Sequence, residues 1–252
     1  MSKALIQRTD FFNVWKNFIK KGETKGVPRH IRQSWVRSKT FGVDPLNDIS
    51  PPVADQQIIA NRVQENPELH QLIQSQCQKI INETDLSLFN ILFSDRDGYV
   101  LSLGGHDKIL QISENSTIKV GSNLSEHSVG TTAPGLSLVE QRPVLIHAEE
   151  HYSTMFHWAS CLAVPIFNHH NILTGCLNIS TTMENRRKLE QLTMMFYNIA
   201  TSFQFEHFIK KKFQEFELYS SFFDSTFSYA DKNLILIDNN FDIINLNAKA
   251  KT

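Results

Sequence analysis

The stretch that decides the fold runs from Ser160 to Ser180 and reads SCLAVPIFNHHNILTGCLNIS. Two apolar segments, 160–167 and 172–180, flank the polar turn Asn168-His-His-Asn171, which predicts a β-hairpin. Along its second strand an apolar set alternates with a mixed set: Leu173, Gly175, Leu177 and Ile179 against Thr174, Cys176, Asn178 and Ser180. A mixed face that points inward suits a small-ligand site, whereas an exposed face has the same pattern.

The segments on both sides of this hairpin predict more strands and several helices. Leu88 to Ser94 and Tyr99 to Leu103 flank the turn Asp95-Arg-Asp-Gly98 and predict another hairpin, and Val144 to Ala148 predicts a further strand. Apolar residues repeat at helical spacing near the start of the chain, after Pro28 and from Pro67 onward. The first of these stripes, around Trp15 and Phe18, indicates packing against the rest of the protein or a second copy. A membrane-surface role is its alternative.

Composition limits the classes to which the chain can belong. It has 252 residues, of which 41% are apolar and 10% aromatic, so most of it is globular. Its 25 basic and 26 acidic residues give no support for nucleic-acid binding, although they do not exclude a local basic patch. The longest apolar runs, 86–93 and 161–167, are too short to span a membrane, and the start MSKALIQRTDFF lacks a secretory core. We therefore expect a cytoplasmic protein, and three unpaired cysteines agree with a reducing compartment.

A long helix is predicted from about Glu184 to Tyr219. Leu192, Phe196, Ile199 and Phe203 have coiled-coil spacing, after which the phase shifts to Ile209, Phe213 and Phe216. We expect packing on the sheet near its start and a dimer contact near its end. Beyond Ser228, the segments 233–238 and 241–246 predict a hairpin that begins a new sheet, so we expect the front part of a longer protein.

The segment from His147 to Cys161 contains the side chains most suited to chemistry. His147-Ala-Glu-Glu-His151 matches an inverted zinc-protease pattern, but the strand-like sequence before it argues against the helix that this pattern requires. The following segment, with Tyr152, His157 and Trp158, is either a partly buried aromatic loop or the wall of a pocket. Cys161 and Cys176 lie on adjacent strands, and no neighbouring cation lowers their pKa.

The polar segment Gly121 to Gly135 separates the first hairpin from the third strand region. It contains neither G-x-x-x-x-G-K-[ST] nor G-x-G-x-x-G, so nucleotide phosphate binding has weak support and we expect no cofactor. Leu136 to Glu140 is helical in pattern. Thr131 or Thr132 is expected either to cap this helix or to face a ligand.

Several of these segments together resemble the amino-terminal sensory region of bacterial sigma-54-dependent activators of the acetoin-catabolism and dihydroxyacetone-operon type. The matching text is Ile31-Arg-Gln-Ser-Trp35-x-Arg37-Ser38 with Gly42-Val-Asp-Pro45, Ser125-Glu-His-Ser-Val-Gly-Thr-Thr-Ala-Pro-Gly135, Arg142-Pro143-Val144, Glu150-His151-Tyr152 and Cys161-x-Ala163-x-Pro165-Ile166-Phe167. The resemblance implies an α+β fold with a GAF-type central antiparallel sheet flanked by helices. It also implies that 229–252 begins a PAS domain.

The implied organisation is an N-terminal helical extension over 1–66, a GAF-like sensory domain over 67–183, a signalling and dimerisation helix over 184–228 and an incomplete PAS-like domain over 229–252. The implied AAA+ and DNA-binding domains are missing from this chain, so sigma-54 RNA polymerase and DNA would be contacted only through them. The chain also lacks the N-K-x-F-x-x-x-D-E signature of cyclic-nucleotide-binding GAF domains.

The resulting hypothesis is a non-enzymatic input module that binds a small metabolite and forms a homodimer, with no membrane contact and no metal. The expected ligand-binding residues are Thr132, His151, Tyr152, His157, Trp158, Cys161 and Asn178. A ligand-free module that receives a partner protein is the alternative. A metallohydrolase acting through His147 and His151, or a thiol reductase acting through Cys161 and Cys176, is the enzymatic alternative.

Overall fold

The computed structural model describes residues 8–46, 50–83, 89–105 and 118–251. Its contacts divide the chain into two units, 1–204 and 205–252. The helices of the described residues are α1 (Arg8–Lys21), α2 (Arg29–Thr40), α3 (Gln56–Gln64), α4 (Pro67–Glu83), α5 (Glu126–Val129), α6 (Ala133–Glu140) and α7 (Arg186–Tyr229). The strands are β1 (Asn90–Asp95), β2 (Val100–Gly105), β3 (Val144–His147), β4 (Ala159–Phe167), β5 (Leu173–Thr182), β6 (Ile235–Ile237) and β7 (Ile243–Leu246).

The first unit is built on a five-stranded antiparallel sheet with the strand order β2-β1-β5-β4-β3. Both predicted hairpins are confirmed, since β1 pairs with β2 and β4 pairs with β5. The strand β5 lies at the centre, between β1 and β4. Gly175 of β5 pairs with Asp95, and a Cβ at this glycine would collide with the Ser94 carbonyl oxygen. The α+β fold with a central antiparallel sheet is therefore as predicted.

One face of the sheet is mostly apolar and packs against helices α3, α4 and α7. Strand residues such as Phe93, Leu162 and Leu177 share a buried cluster with Ile73 of α4 and Phe196 of α7. Of the apolar set of β5, Leu177 and Ile179 lie in this cluster, whereas Leu173 packs against the cluster on the opposite face. The helix α3, which the sequence pattern did not predict, contributes Ile59 to the same cluster.

The opposite, inner face carries α6 and the two N-terminal helices. Trp15 and Phe18 of α1 and Ile31 and Trp35 of α2 are almost fully buried together with Leu136 of α6. The apolar stripe of α1 therefore packs on its own unit. The side chains of α2 also contact α5, because Ser34 and Arg37 hydrogen-bond the carboxylate of Glu126.

The helix α7 begins after a 3-10 turn over Met183–Asn185 and ends at Tyr229. The apolar spacing predicted an end near Tyr219, whereas the implied organisation gave 184–228; residues 220–229 contain no glycine or proline to stop the helix. In the first unit Leu189, Phe196 and Phe203 are buried, so packing near the start of the helix is as predicted.

The second unit contains the predicted C-terminal hairpin, formed by β6 and β7. The Asp238 carboxylate accepts hydrogen bonds from the backbone N–H groups of Asn240 and Asp242 and fixes the turn. Asn247 is buried, and its amide donates to the Lys232 carbonyl and accepts from Leu234 N–H. Within the described ranges, no helix has both the length and the apolar character that crossing a bilayer requires.

Candidate functional site

The candidate site lies on the inner face of the sheet, where β1, β5 and β4 run side by side. The register places Asn90, Ser180 and Cys161 in one cross-strand row and Leu92, Asn178 and Ala163 in the next. Residues paired directly across antiparallel strands project from the same face. Cys176, Asn178 and Ser180 of the mixed set therefore point inward and are buried, which decides between the two interpretations of the sequence pattern.

A short hydrogen-bond chain runs along this face. The Asn178 amide Nδ2 donates to Ser180 Oγ at 2.7 Å, and Ser180 Oγ contacts Cys161 Sγ at 3.2 Å. Asn178 is 1% exposed, and its Oδ1 has no hydrogen-bond partner among the described residues. Buried polar atoms are nearly always paired in folded proteins, so this acceptor is available to a ligand or a water molecule.

An apolar cluster adjoins the polar row. Leu92, Val129 and Phe156 are buried together, and Leu103 and Met155 pack against them. Leu103 lies opposite Leu92 on β2, so this cluster begins directly beside Asn178. A mostly apolar surface with a few polar groups is typical of small-molecule sites.

The loop between β3 and β4 holds four of the predicted site residues. His151 is 1% exposed, and its Nδ1 contacts the Ala148 carbonyl at 2.9 Å. Burial lowers the pKa of His151 to about 3, so its ring is neutral and Nδ1 donates this hydrogen bond. The Tyr152 carbonyl accepts a hydrogen bond from Trp15 Nε1. The Tyr152 ring packs in the cluster of α1 and α2. Its ring also touches Gly130, where φ is 77° and no Cβ would fit.

His157 and Trp158 lie at the end of this loop, just before β4. His157 Nε2 contacts the His151 carbonyl at 3.3 Å. The His157 ring packs edge-on against the Trp15 ring, with 4.9 Å between the ring centroids. Trp158 packs against the inner-face cluster that includes Cys161. Its Nε1 is buried and has no hydrogen-bond partner in the described part of the chain. The indole therefore offers a donor that the described residues do not use.

Thr132 is the N-cap of α6. Its Oγ1 accepts from Gly135 N–H at 3.0 Å and donates to the Leu124 carbonyl at 2.7 Å. Its one hydroxyl proton is thus committed to the protein, which favours the capping role over the ligand role.

The geometry of the histidine motif differs from that of a metalloprotease. His147 ends β3, and His151 follows a 3-10 turn over Ala148–Glu150, so the two imidazoles do not share a helix face. His147 Nδ1 contacts Ser160 Oγ, and its Nε2 lies 3.4 Å from Glu190. This Ser–His–Glu order is that of a hydrolase triad, yet Ser160 is 0% exposed and no substrate could reach its hydroxyl.

Cys161 and Cys176 do not form a redox pair. Cys161 lies opposite Ser180, and Cys176 lies opposite Pro165, so the two residues are displaced by four positions along the β4–β5 register. Four residues of strand correspond to about 13 Å, far beyond the reach of a disulfide. Burial raises the pKa of each thiol to about 12, which leaves both protonated.

The site loop also contacts the beginning of α7. The Trp158 carbonyl accepts from Met183 N–H at 3.1 Å, and Glu190 binds both His147 and Arg186. Burial lowers the pKa of His147 to about 4, so Glu190 faces a neutral imidazole. The end of the loop and the end of β3 are thus both joined to the start of the long helix.

Three residues of this face were not among the predicted site residues: Leu92, Phe156 and Ser180. Ser180 was within reach of the sequence, since it follows Asn178 by two positions on the same strand face. Phe156 lies in the aromatic segment that the sequence indicated as a possible pocket wall, whereas Leu92 required the register of β1, which no local pattern supplies.

Comparison with known proteins identifies the family. A family model described as the GAF domain matches residues 68–203, which is more than half of the chain. This match spans α4, the whole five-stranded sheet and the part of α7 that packs on it.

Two curated relatives are transcriptional regulators by name. The acetoin dehydrogenase operon transcriptional activator AcoR of Bacillus subtilis is 30% identical over 168 residues, covering 66% of this chain and 28% of that protein. The acetoin catabolism regulatory protein of Cupriavidus necator is 21% identical over 162 residues, covering 64% of this chain and 24% of that protein. This chain thus matches only about a quarter of each relative's length.

One solved structure has a closely similar fold. The Escherichia coli DhaR(N)-DhaL complex contains a chain that superposes with a TM-score of 0.78 at 19% identity, covering 88% of this chain and 76% of that one. The sequence resemblance, the sheet order and the family match agree. The chain belongs to the GAF domain family and is related to the sensory regions of transcriptional activators.

Proposed function

We propose that this chain is the signal-sensing input module of a bacterial sigma-54-dependent transcriptional regulator and binds a small metabolite on the inner face of its sheet. The proposed site joins the polar row of Asn178 and Ser180 to the apolar cluster of Leu92 and Phe156, with Trp158 at its edge. The observation that carries the proposal is the buried, unused acceptor Asn178 Oδ1 beside that apolar cluster.

The chemistry of these groups favours a small neutral ligand. Asn178 Oδ1 accepts a hydrogen bond and Trp158 Nε1 donates one. Cys161 and the His151 ring are uncharged at neutral pH, since burial raises the thiol pKa to about 12 and lowers the imidazole pKa to about 3. A short-chain diol or hydroxyketone offers both a hydroxyl donor and an oxygen acceptor, and its carbon chain suits Leu92 and Phe156.

Occupancy of this site would be reported through α7. Trp158 touches the 3-10 turn that precedes the helix, and His147 binds Glu190 in its second turn. A ligand shifts the helix only by the difference in its affinity for two helix arrangements. The output domains that would receive this change are those that the family resemblance implies.

A stabilisation screen tests the proposal. Binding to the folded state raises the melting temperature in a concentration-dependent way, so diols, hydroxyketones and short acids can be compared directly. Trp158→Phe removes only the indole donor, and Trp35→Phe is a control that removes an indole already bonded to the Glu150 carbonyl. We expect Trp158→Phe to lose most of the ligand-induced shift and Trp35→Phe to keep it. An equal shift in Trp158→Phe would remove this residue from the site.

The second candidate is a module that receives a partner protein. The structure with the similar fold was solved as a DhaR(N)-DhaL complex, and its chain covers the same elements. In that case purified chain would show no metabolite-dependent stabilisation but would co-elute with a partner enzyme encoded in the same operon. The screen above therefore separates the two candidates.

We also propose that the second half of α7 forms a homodimer. Phe205, Phe213, Phe216 and Phe222 are each more than 60% exposed. Phe205, Phe213 and Phe216 fall on one helix face together with the exposed Ile209, and a second copy of α7 would cover this face.

A further inference from the structure

The charges of this chain are strongly segregated, although their sum is close to zero. Residues 1–46 contain ten lysines and arginines and three acidic residues, a net charge of +7, whereas the remaining residues contain 15 basic and 23 acidic residues. Such asymmetry is typical of a segment that meets a polyanion. The near-neutral total therefore conceals a local basic patch.

The structure shows where these charges lie. We define the basic face as seven exposed cations on α1, α2 and their connection: Lys16, Lys20, Lys21, Lys25, Arg29, Arg32 and Lys39. All seven residues are exposed, and the Lys39 ammonium also lies 5.7 Å from the centroid of the Phe18 ring. Over the 24 residues from Lys16 to Lys39 the sequence contains a single carboxylate, Glu23.

Among the described residues, the carboxylates of the neighbouring elements pair mainly with cations outside this face. Glu126 of α5 binds Arg37, which is outside the basic face, and Glu140 of α6 pairs with Arg142 at 3.4 Å. Glu23 lies 3.9 Å from Lys21, and both side chains are more than half exposed, so this pair is weak. Most of the seven cations therefore contribute to one positive electrostatic potential at the surface.

The composition of the face favours phosphates over a protein or a membrane. Exposed Asn17 and Gln33 lie between the cations, and lysine, arginine, asparagine and glutamine are common phosphate ligands in protein–DNA complexes. Protein interfaces are depleted of lysine, the commonest residue of this face. Insertion into a membrane would need the apolar stripe of α1, but Trp15 and Phe18 are 3% and 2% exposed in the core.

We propose that the basic face binds the phosphate backbone of double-stranded DNA without reading its sequence. The helices α1 and α2, with 14 and 12 residues, are each about 20 Å long, and a duplex presents one phosphate charge per roughly 1.7 Å of its axis. Both helices pack rigidly on the sensory unit, so this contact would hold the unit against DNA. The proposal is independent of the metabolite site, which lies on the buried side of the same helices.

The test uses the whole chain and a fluorescein-labelled duplex of mixed sequence, with binding followed by anisotropy across a salt series. The test variant carries Lys16→Glu, Arg29→Glu and Arg32→Glu, all at exposed positions outside the last turns of their helices. The control variant carries Lys210→Glu, Lys232→Glu and Lys251→Glu, which change the net charge equally but lie in the second unit. Melting curves and the metabolite response check that both variants retain the fold.

We expect the unmodified chain to bind the duplex and to lose affinity as salt rises, with a slope of about −0.9 per phosphate neutralised. The test variant should bind at least about tenfold more weakly, with a slope smaller by about three, and the control should bind like the unmodified chain. Equal losses in both variants, or no binding of the duplex at low salt, would overturn the proposal. So would tighter binding of poly-glutamate or of phosphatidylglycerol vesicles than of the duplex.

Discussion

Arg37 of α2 donates two hydrogen bonds to the carboxylate of Glu126 in α5, from Nε at 2.6 Å and from Nη2 at 2.8 Å. Ser34 also donates to this carboxylate and contacts Thr131 Oγ1 at 2.6 Å. Two of the segments that carry the family resemblance, 31–38 and 125–135, are therefore joined to each other. The Glu126 side chain is 2% exposed, so its charge depends on these partners.

Removing the cation should destabilise the first unit. Because Arg37→Ala leaves Glu126 buried and unpaired, we expect a loss of about 3 kcal/mol in the free energy of unfolding. Lys39→Ala, on the exposed side of the same helix, should change it by less than about 0.5 kcal/mol. Urea unfolding followed by tryptophan fluorescence measures both, since Trp15, Trp35 and Trp158 all lie within residues 1–204. Similar values for the two variants would show that the ion pair contributes little.

Replacing Asn178 by leucine should separate stability from ligand binding. Asn178→Leu removes the unused buried acceptor and keeps the branched shape of the side chain, so the unfolding free energy should change by no more than about 1 kcal/mol. The ligand-induced rise in melting temperature should disappear. Cys176→Ala, on the same strand face but beneath α6, serves as the control and should keep the ligand response. A full response in Asn178→Leu would exclude its amide from the site.

Three buried groups near the site give the stability a defined pH dependence. Burial lowers the pKa of His147 to about 4 and of His151 to about 3, whereas it raises the pKa of Glu150 to about 7. Between pH 4.5 and 6.5 the unfolded chain binds up to two protons more at the histidines, and the folded chain binds one more at Glu150. Stability should therefore rise with pH over this interval, by at most about 1.4 kcal/mol per pH unit for the net proton.

Glu150→Gln isolates the carboxyl part of this dependence. The folded-state pKa of Glu150 is raised, so its contribution is present below pH 4.5 and is lost as pH rises towards 7. Without it, the rise in stability from pH 4.5 to 6.5 should become steeper, approaching two protons. An unchanged slope in urea titrations would mean that Glu150 is ionised in the folded protein.

The thiols of Cys77, Cys161 and Cys176 should resist modification. All three are buried, and burial raises the pKa of each to about 12. We expect almost no reaction with a chromogenic disulfide reagent at pH 8 in the native protein and full reaction of three thiols in urea. Rapid labelling of Cys161 in the native state would reopen a redox role.

Exposed phenylalanines of α7 give a test of the proposed dimer. Phe213→Glu combined with Phe216→Glu should shift the sedimentation coefficient to that of a monomer, because charges would replace the apolar contact. Gln214→Glu with Ser221→Glu, at two exposed positions of the same helix, makes the same change of charge without touching the phenylalanines and is the matched control. A monomeric unmodified chain, or an unaffected dimer in the phenylalanine variant, would contradict the dimer proposal.

The strand positions and the alternation of β5 were predictable because side chains of a strand alternate between two faces, and this two-residue period is visible in a single sequence. The pairing of β1 with β5 was not, since it brings Leu92 beside Asn178 from positions 86 residues apart. The polar sequence of residues 125–132 indicated a loop, but the side chains of Glu126, Thr131 and Thr132 are buried. Their burial depends on Arg37 and Ser34 from a distant helix, and no local pattern contains that information.

The state of the Trp158 indole tests the central claim most directly. Trp15 and Trp35 donate their Nε1–H groups to the Tyr152 and Glu150 carbonyls, whereas Trp158 Nε1 has no partner among the described residues. In ¹H–¹⁵N spectra, a diol or hydroxyketone that stabilises the chain should shift the Trp158 indole signal downfield in a saturable way and leave the other two nearly fixed. A stabilising ligand that leaves the Trp158 signal unmoved would contradict a metabolite site on this face.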